Sequence, residues 1–114
     1  MNEELTVSTP EDYVTLTTRK FKVTSEAVFH VHIMNASSMV YLLGILPDEG
    51  FADRKETLSF VEEHLVDITQ HIVQPNIIAP KIADEKLAFL DVVDILLELM
   101  IMSGFGIDES ETSE

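Results

Sequence analysis

The run Leu87-Ala88-Phe89-Leu90-Asp91-Val92-Val93-Asp94-Ile95-Leu96-Leu97-Glu98-Leu99-Met100-Ile101-Met102 constrains this chain more than any other stretch, because its only polar residues are Asp91, Asp94 and Glu98. Taken as a helix, it carries those three at i, i+3 and i+7 along one narrow edge and leaves the remaining circumference apolar. Such a helix is covered on most sides, either by its own chain or by another. It is a poor membrane span: each of the three acids would cost roughly 2.5 to 3.5 kcal/mol near a bilayer centre, and no basic flank anchors the segment.

Length decides how easily the chain can cover that helix itself. With 114 residues it has room for one modest core and no second domain. Two readings of the final helix follow. It lies at the centre of the domain with the other elements around it, or its far face stays wet until a partner covers it. If four large side chains stayed wet, the forgone burial would be roughly 6 to 12 kcal/mol, comparable with a whole domain's stability. A partner protein or self-association would recover it. Met100 and Met102 suit either reading, since methionine adapts to irregular surroundings.

Charge narrows the partners. Twenty-one acidic residues against seven basic ones give a formal charge of −14, which repels phosphate backbones and anionic headgroups and argues against nucleic acid or membrane as a partner. Solubility is the ordinary meaning of such an excess, with salt adaptation and polyanion mimicry as the others. The chain has no cysteine, which excludes disulfides, thiolate metal sites and cysteine nucleophiles. The acidic start Met-Asn-Glu-Glu-Leu is unlike a signal peptide and leads to the expectation of a cytoplasmic protein.

Along the chain, residues 1–12 read as a flexible leader, 13–107 as a single α+β domain, and 108–114 as a disordered acidic tail. From Tyr13 to Ile33, β-branched and aromatic residues alternate with polar ones (Val14, Leu16; Phe21, Val23; Phe29, Val31, Ile33), which predicts a small N-terminal antiparallel β-meander. Turns are expected near Thr18 to Lys20 and at Thr24-Ser25-Glu26. A bundle of about three helices follows. Asn35 caps the first, which runs from Ala36 through Met39, Val40, Leu42 and Leu43 to a stop at Pro47. Asp53 caps the second, reaching about Val73, with Leu58, Val61, Leu65, Ile68 and Ile72 on one stripe. Gln74 to Lys81 is an extended connector because of Pro75 and Pro80. The third helix is expected from about Glu85, capped by Asp84, to Ser103, with Gly104 ending it.

Catalytic constellations are sparse. His30-x-His32 puts two imidazoles on one strand face, the pattern of some metal sites, but no glutamate or glycine-rich turn accompanies it, and an exposed polar sheet face explains it more simply. His64 and His71 flank Asp67 on one helical face without the His-Glu-x-x-His pattern. The carboxylate pairs Glu62 and Glu63, or Asp91 and Asp94, form no recognisable acid/base site. Phosphate loops, nucleophile elbows and basic-aromatic interleaving are absent from the sequence. The expectation is a noncatalytic protein with no cofactor.

The order of parts carries a resemblance. A short β region leads into Val40-Tyr41-Leu42-Leu43-Gly44-Ile45-Leu46-Pro47, then a helix, then Ile72-Val73-Gln74-Pro75-Asn76-Ile77-Ile78-Ala79-Pro80-Lys81-Ile82, then an acid-edged helix ending Ser103-Gly104. Over roughly residues 20–105 this resembles the small tail assembly chaperones of long-tailed bacteriophages. Pro75 and Pro80-Lys81 divide between them what that family usually compresses into one phrase. The resemblance implies an assembly factor in the host cytoplasm, absent from the finished virion, that binds the long helical tape measure protein and keeps it soluble until tail tube protein polymerises round it. On that reading Leu87, Leu90, Val93, Leu97, Met100 and Ile101 contact the partner, with Asp91, Asp94 and Glu98 rimming the contact. Alternatives are an acidic inhibitor or polyanion mimic, and a structural virion subunit.

Overall fold

A computed structural model describes residues 5–105; the expected acidic tail at 108–114 and the first four residues of the leader lie outside the described residues. The protein is α+β, with one three-stranded antiparallel sheet and helices packed against it. Regular structure begins at Pro10, with helix α1 (Pro10–Thr17). Thr9 and Asp12 form a reciprocal capping box: the Asp12 amide donates to Thr9 Oγ1 at 3.0 Å and the Thr9 amide to Asp12 Oδ2 at 3.1 Å, with Pro10 at the first helical position. Tyr13, Val14 and Leu16, expected in a strand, are therefore helical. Local capping outweighs their β-like alternation.

The sheet keeps the expected hairpin and replaces the third strand. Strands β1 (Thr18–Lys22) and β2 (Val28–His32) pair antiparallel, with Phe21 opposite Phe29. The segment Thr18 to Lys20 is strand, not turn. The real turn is Thr24-Ser25-Glu26, where Glu26 takes φ +80°. The third strand, β3 (Ile77–Ala79), comes from the extended connector and pairs antiparallel with β2. It stops at Pro80, which has no amide proton to give the ladder.

Asn35 caps α2 (Ala36–Ile45), accepting from the Ser38 amide at 2.8 Å. Asp53 likewise caps α3 (Arg54–Glu63), accepting from the Glu56 amide at 3.0 Å. The expected long middle helix breaks at His64 (φ −113°, ψ 25°) and resumes as the single turn α4 (Leu65–Ile68), followed by a wide π-helical turn, Thr69–Val73, and a 3₁₀ turn, Gln74–Asn76. The widened turn lets the neighbours Ile72 and Val73 both reach the core at 0% exposure. Of the expected stripe, Val61, Ile68 and Ile72 are buried and Leu58 and Leu65 half-buried.

The last helix, α5 (Phe89–Met102), begins four residues later than expected. Asp84 opens a 3₁₀ turn (Asp84–Lys86) and accepts from Gln74 Nε2 at 2.8 Å instead of capping α5, because Leu87 and Ala88 are extended. At its other end the Phe105 amide donates to the Met100 carbonyl and the Gly104 amide to the Ile101 carbonyl, with Gly104 at φ +85°. That is a Schellman stop, for which glycine is the favoured residue. Val92, Val93, Ile95, Leu96 and Leu99 on α5 are all 2% exposed or less. Their burial contributes roughly 8 to 15 kcal/mol gross, an upper figure because unfolded chains already hide some apolar surface. The core forms around this helix.

Candidate interaction surface

Asp91, Asp94 and Glu98 do not rim an open contact. All three reach across to the β1–β2 hairpin. The Ser25 amide donates to Asp91 Oδ1 at 2.9 Å, and the Thr24 amide and hydroxyl donate to Asp94 Oδ2 at 2.7 and 2.6 Å. Glu98 pairs with Arg19 of β1. Strand alternation explains the reach, since Arg19 lies opposite the buried Val31 and so points to the side of the sheet where α5 packs. The acid edge of α5 thus holds the strained hairpin turn from beneath.

The apolar residues expected to meet a partner divide. Val93 and Met100 are buried in the core. Leu87 and Leu97 are half-buried against it, and Leu97 and Met100 line a cleft with Phe51 and Phe105 beneath the 46–53 loop. Of these six, only Leu90 and Ile101 are exposed, at 38% and 40%. Of the two readings of this helix, the structure has the central one, with most of its circumference covered by the rest of the chain.

Uncovered apolar surface lies instead on α1 and α2. Helix α1 buries no residue, and its Tyr13, Val14 and Leu16 are exposed. On α2, Ser38 and Leu42 face the core with Ile45 half-buried beside them, so Ala36, Val40, Leu43 and Gly44 occupy the opposite face. Val40 is 69% and Leu43 59% exposed. Tyr13 and Val14 of α1, Ala36 of α2 and Ile78 of β3 line one groove, together with Thr17, Thr18, His32 and Asn35. Exposed apolar side chains thus stand on α1, at this groove and on the outer face of α2. Helix α2 contains no charged residue, which distinguishes it from α1, α3 and α5.

What fixes α2 in place is a buried polar network. Asn76, fully buried, accepts from the Asn35 amide at 3.0 Å and donates through Nδ2 to Ser38 Oγ at 2.9 Å and the Ile72 carbonyl at 2.6 Å. The Ser38 hydroxyl donates onward to the His71 carbonyl at 2.8 Å. The start of α2 is thereby tied to the π-helical turn and to the 3₁₀ turn that leads into β3.

The histidines are engaged structurally. His30 and His32 are half-buried on the outer face of the sheet, opposite Lys20 and Thr18 in register. His71 stacks on Tyr41 with ring centroids 4.4 Å apart, and His64 packs against Phe60. Partial burial, and after it the Asp67 carboxylate alongside, raise the Tyr41 phenol above its ordinary value of 10.0. Among the described residues no three histidine, aspartate or glutamate side chains stand close enough to share a metal ion, and no helix is long and apolar enough to cross a membrane.

The fold and surface define an α+β protein with a charge-free helix presented to solvent. Comparison with protein-family models, curated proteins and solved structures finds no match to this chain.

Proposed function

We propose that this protein is a noncatalytic binding module, a tail assembly chaperone of the long-tailed bacteriophage type that holds a long helical tape measure protein soluble in the host cytoplasm until tail tube subunits close round it. The observation that carries this reading is the apolar surface exposed on α1 and α2, where Tyr13, Val14, Leu16, Val40 and Leu43 remain exposed on a chain otherwise crowded with charge. Exposed apolar surface of this extent, bordered by polar residues, is characteristic of protein interaction sites. Burying one such side chain against a partner would contribute roughly 1 to 2 kcal/mol. A helical client suits the surface, because a row of apolar residues at steps of three and four is the pattern that receives a second helix. The order of sequence segments, already like that of the tail assembly chaperones, supplies the identity of the client.

The test is co-expression with a tape measure chain, followed by affinity capture. Recovery of a soluble complex that Val40→Glu and Tyr13→Glu together abolish, while both proteins remain folded, is the expected result. A tape measure chain that stays insoluble with and without the protein would sink the reading.

A further inference from the structure

Strand β1 is the basic part of an acidic chain and an outer edge of its sheet. It holds Arg19, Lys20 and Lys22, three of the seven basic residues in a chain of net charge −14. Among the described residues the one ion pair is Arg19 with Glu98, which leaves Lys20 and Lys22 exposed and unpaired.

The ladder fixes which backbone groups of β1 are open. The Val23 amide donates to the Ala27 carbonyl at 3.0 Å and the Ile33 amide to the Thr17 carbonyl at 2.8 Å. With Lys20 in register with His30, these bonds put Thr17, Arg19, Phe21 and Val23 in the pairs that exchange hydrogen bonds with β2. The amides and carbonyls of Thr18, Lys20 and Lys22 therefore point away from β2. Because β1 is the outermost strand, no ladder takes them up.

The two faces beside this edge differ. On the outer face stand Lys20 and Lys22. On the inner face a groove runs between β1 and α5, lined by Phe21, Leu97 and Ile101 with Asp94 and Glu98 beside them. Those two carboxylates already hold Thr24 and Arg19. An extended segment laid along β1 thus meets cations with one row of side chains, and apolar surface edged by carboxylates with the other. Acids suit the first row and apolar residues the second. A second copy of β1 does not fit, because two such edges set lysine beside lysine, the protection that charged edge strands ordinarily give. The net charge of the chain opposes an acidic partner at range, but screening removes most of that beyond about 8 Å at physiological salt. In contact, the partner's outward row meets Lys20 and Lys22.

We propose that the β1 edge receives an extended acidic segment of another protein, which joins the sheet as an antiparallel strand with acidic side chains outward beside Lys20 and Lys22 and apolar ones inward over Phe21, Leu97 and Ile101. In an antiparallel pair, residues that exchange hydrogen bonds lie directly opposite with side chains on one face. The acidic residues are therefore the ones whose amides bond to Lys20 and Lys22. Main-chain bonds supply the affinity and alternate side chains the specificity. This contact lies on β1 and α5 and does not use the exposed faces of α1 and α2.

The probe is a short peptide of alternating valine and glutamate, titrated into the isotope-labelled full-length protein and followed by amide shifts and hydrogen exchange. Shifts are expected along Thr18 to Lys22, with exchange slowed at the Lys20 and Lys22 amides. Methylating the glutamate amides removes the donors that face β1 and should abolish binding, whereas methylating the valine amides, which point away, should leave it intact. Lys20→Glu combined with Lys22→Glu should weaken binding by about tenfold with an unchanged circular dichroism spectrum, two attractive cross-strand pairs having become repulsive ones. Should that variant lose its fold, the two methylated peptides decide the matter on the wild type. A parent peptide that leaves β1 unshifted overturns the proposal, as does a glutamate-methylated peptide that binds as well as the parent or a folded double variant that binds unchanged. All of these are read at β1, so they are distinct from the client assay, which is read on the captured complex.

Discussion

Replacing Asn76 by leucine tests whether the buried network, and not apolar burial alone, holds α2 on the fold. Leucine has nearly the same shape, so the change removes hydrogen-bonding capacity with little cavity. Three contacts disappear: the Asn35 amide loses its acceptor, and the Ile72 carbonyl and Ser38 Oγ lose a donor. Ser38 keeps its bond to the His71 carbonyl, so the uncompensated groups are the Asn35 amide and the Ile72 carbonyl. Each stranded group costs about 1 to 3 kcal/mol, and the added apolar contact returns about 1. The net loss is therefore about 1 to 5 kcal/mol, a large share of the 5 to 15 kcal/mol typical of a domain. In urea, with a slope of roughly 1 to 3 kcal/mol per molar, the midpoint falls by on the order of 2 M. Hydrogen exchange should localise the loss to the first turn of α2, whose cap residue Asn35 is positioned by Asn76. Asn76→Asp retains the acceptor for Asn35 but faces the Ile72 carbonyl with a second oxygen, and its cost should equal or exceed that of leucine. A change below about 0.5 kcal/mol for Asn76→Leu, the scale of an ordinary surface substitution, would refute the reasoning.

Two further outcomes follow from the side chains around this frame. Asp94→Ala frees the Thr24 amide and hydroxyl and should cost about 1 to 3 kcal/mol, as for a hydrogen-bonded charged group; amide exchange at Thr24 should accelerate, and a loss no greater than that of Glu62→Ala on exposed α3 would dismiss the hairpin clamp. The chain has two tyrosines, so Tyr13→Phe leaves Tyr41 alone for ultraviolet titration, with a midpoint expected above 10 because burial first and Asp67 second favour the neutral phenol. Its folded value lies above the unfolded one, so this contribution to stability is fully present below the unfolded value near 10 and is lost as pH climbs through the folded midpoint. Asp67→Asn should lower the midpoint only in part, since burial remains, and a midpoint at or below 10 in Tyr13→Phe would contradict the assignment.

Much of the fold was legible where a local rule and the tertiary structure agree. Asn35 and Asp53 are caps in sequence and in space, Gly104 stops α5 as its position requires, and the hairpin turns at Thr24 to Glu26. The failures share a cause. Thr9-Pro10-Glu11-Asp12 is a helix start, with a capping residue, proline at the first position and a reciprocal acid three residues on, but the alternation of Val14 and Leu16 beyond it has the period of a strand. Capping, not periodicity, decided that segment. The third strand was hidden because Ile77–Ala79 is too short to carry a period and needs β2 beside it to become a strand. The break at His64 and the wide turn after it follow from packing Ile72 and Val73 together, which no local preference announces.

The candidate surface moved for an electrostatic reason. Counting polar residues around a helix shows how much of it is apolar, but not whether its acids face water. Asp91, Asp94 and Glu98 share one narrow edge and are expected to rim a partner contact, yet two accept from the tight hairpin turn and the third pairs with Arg19. Their attachment draws the sheet over α5 and lets the remaining faces fill the core. Having acids inside one edge leaves α5 better covered than a helix with the same acids in solvent. Helix α2 has the reverse economy: it carries no charge to anchor an outer face, and only Ser38, Leu42 and the flanking half-buried residues attach it. Ala36, Val40, Leu43 and Gly44 are left over by that one-sided attachment. A helix held on one side by a buried network and bare on the other is a rigid platform, so a second helix can dock there without the ordering cost that a mobile segment would impose.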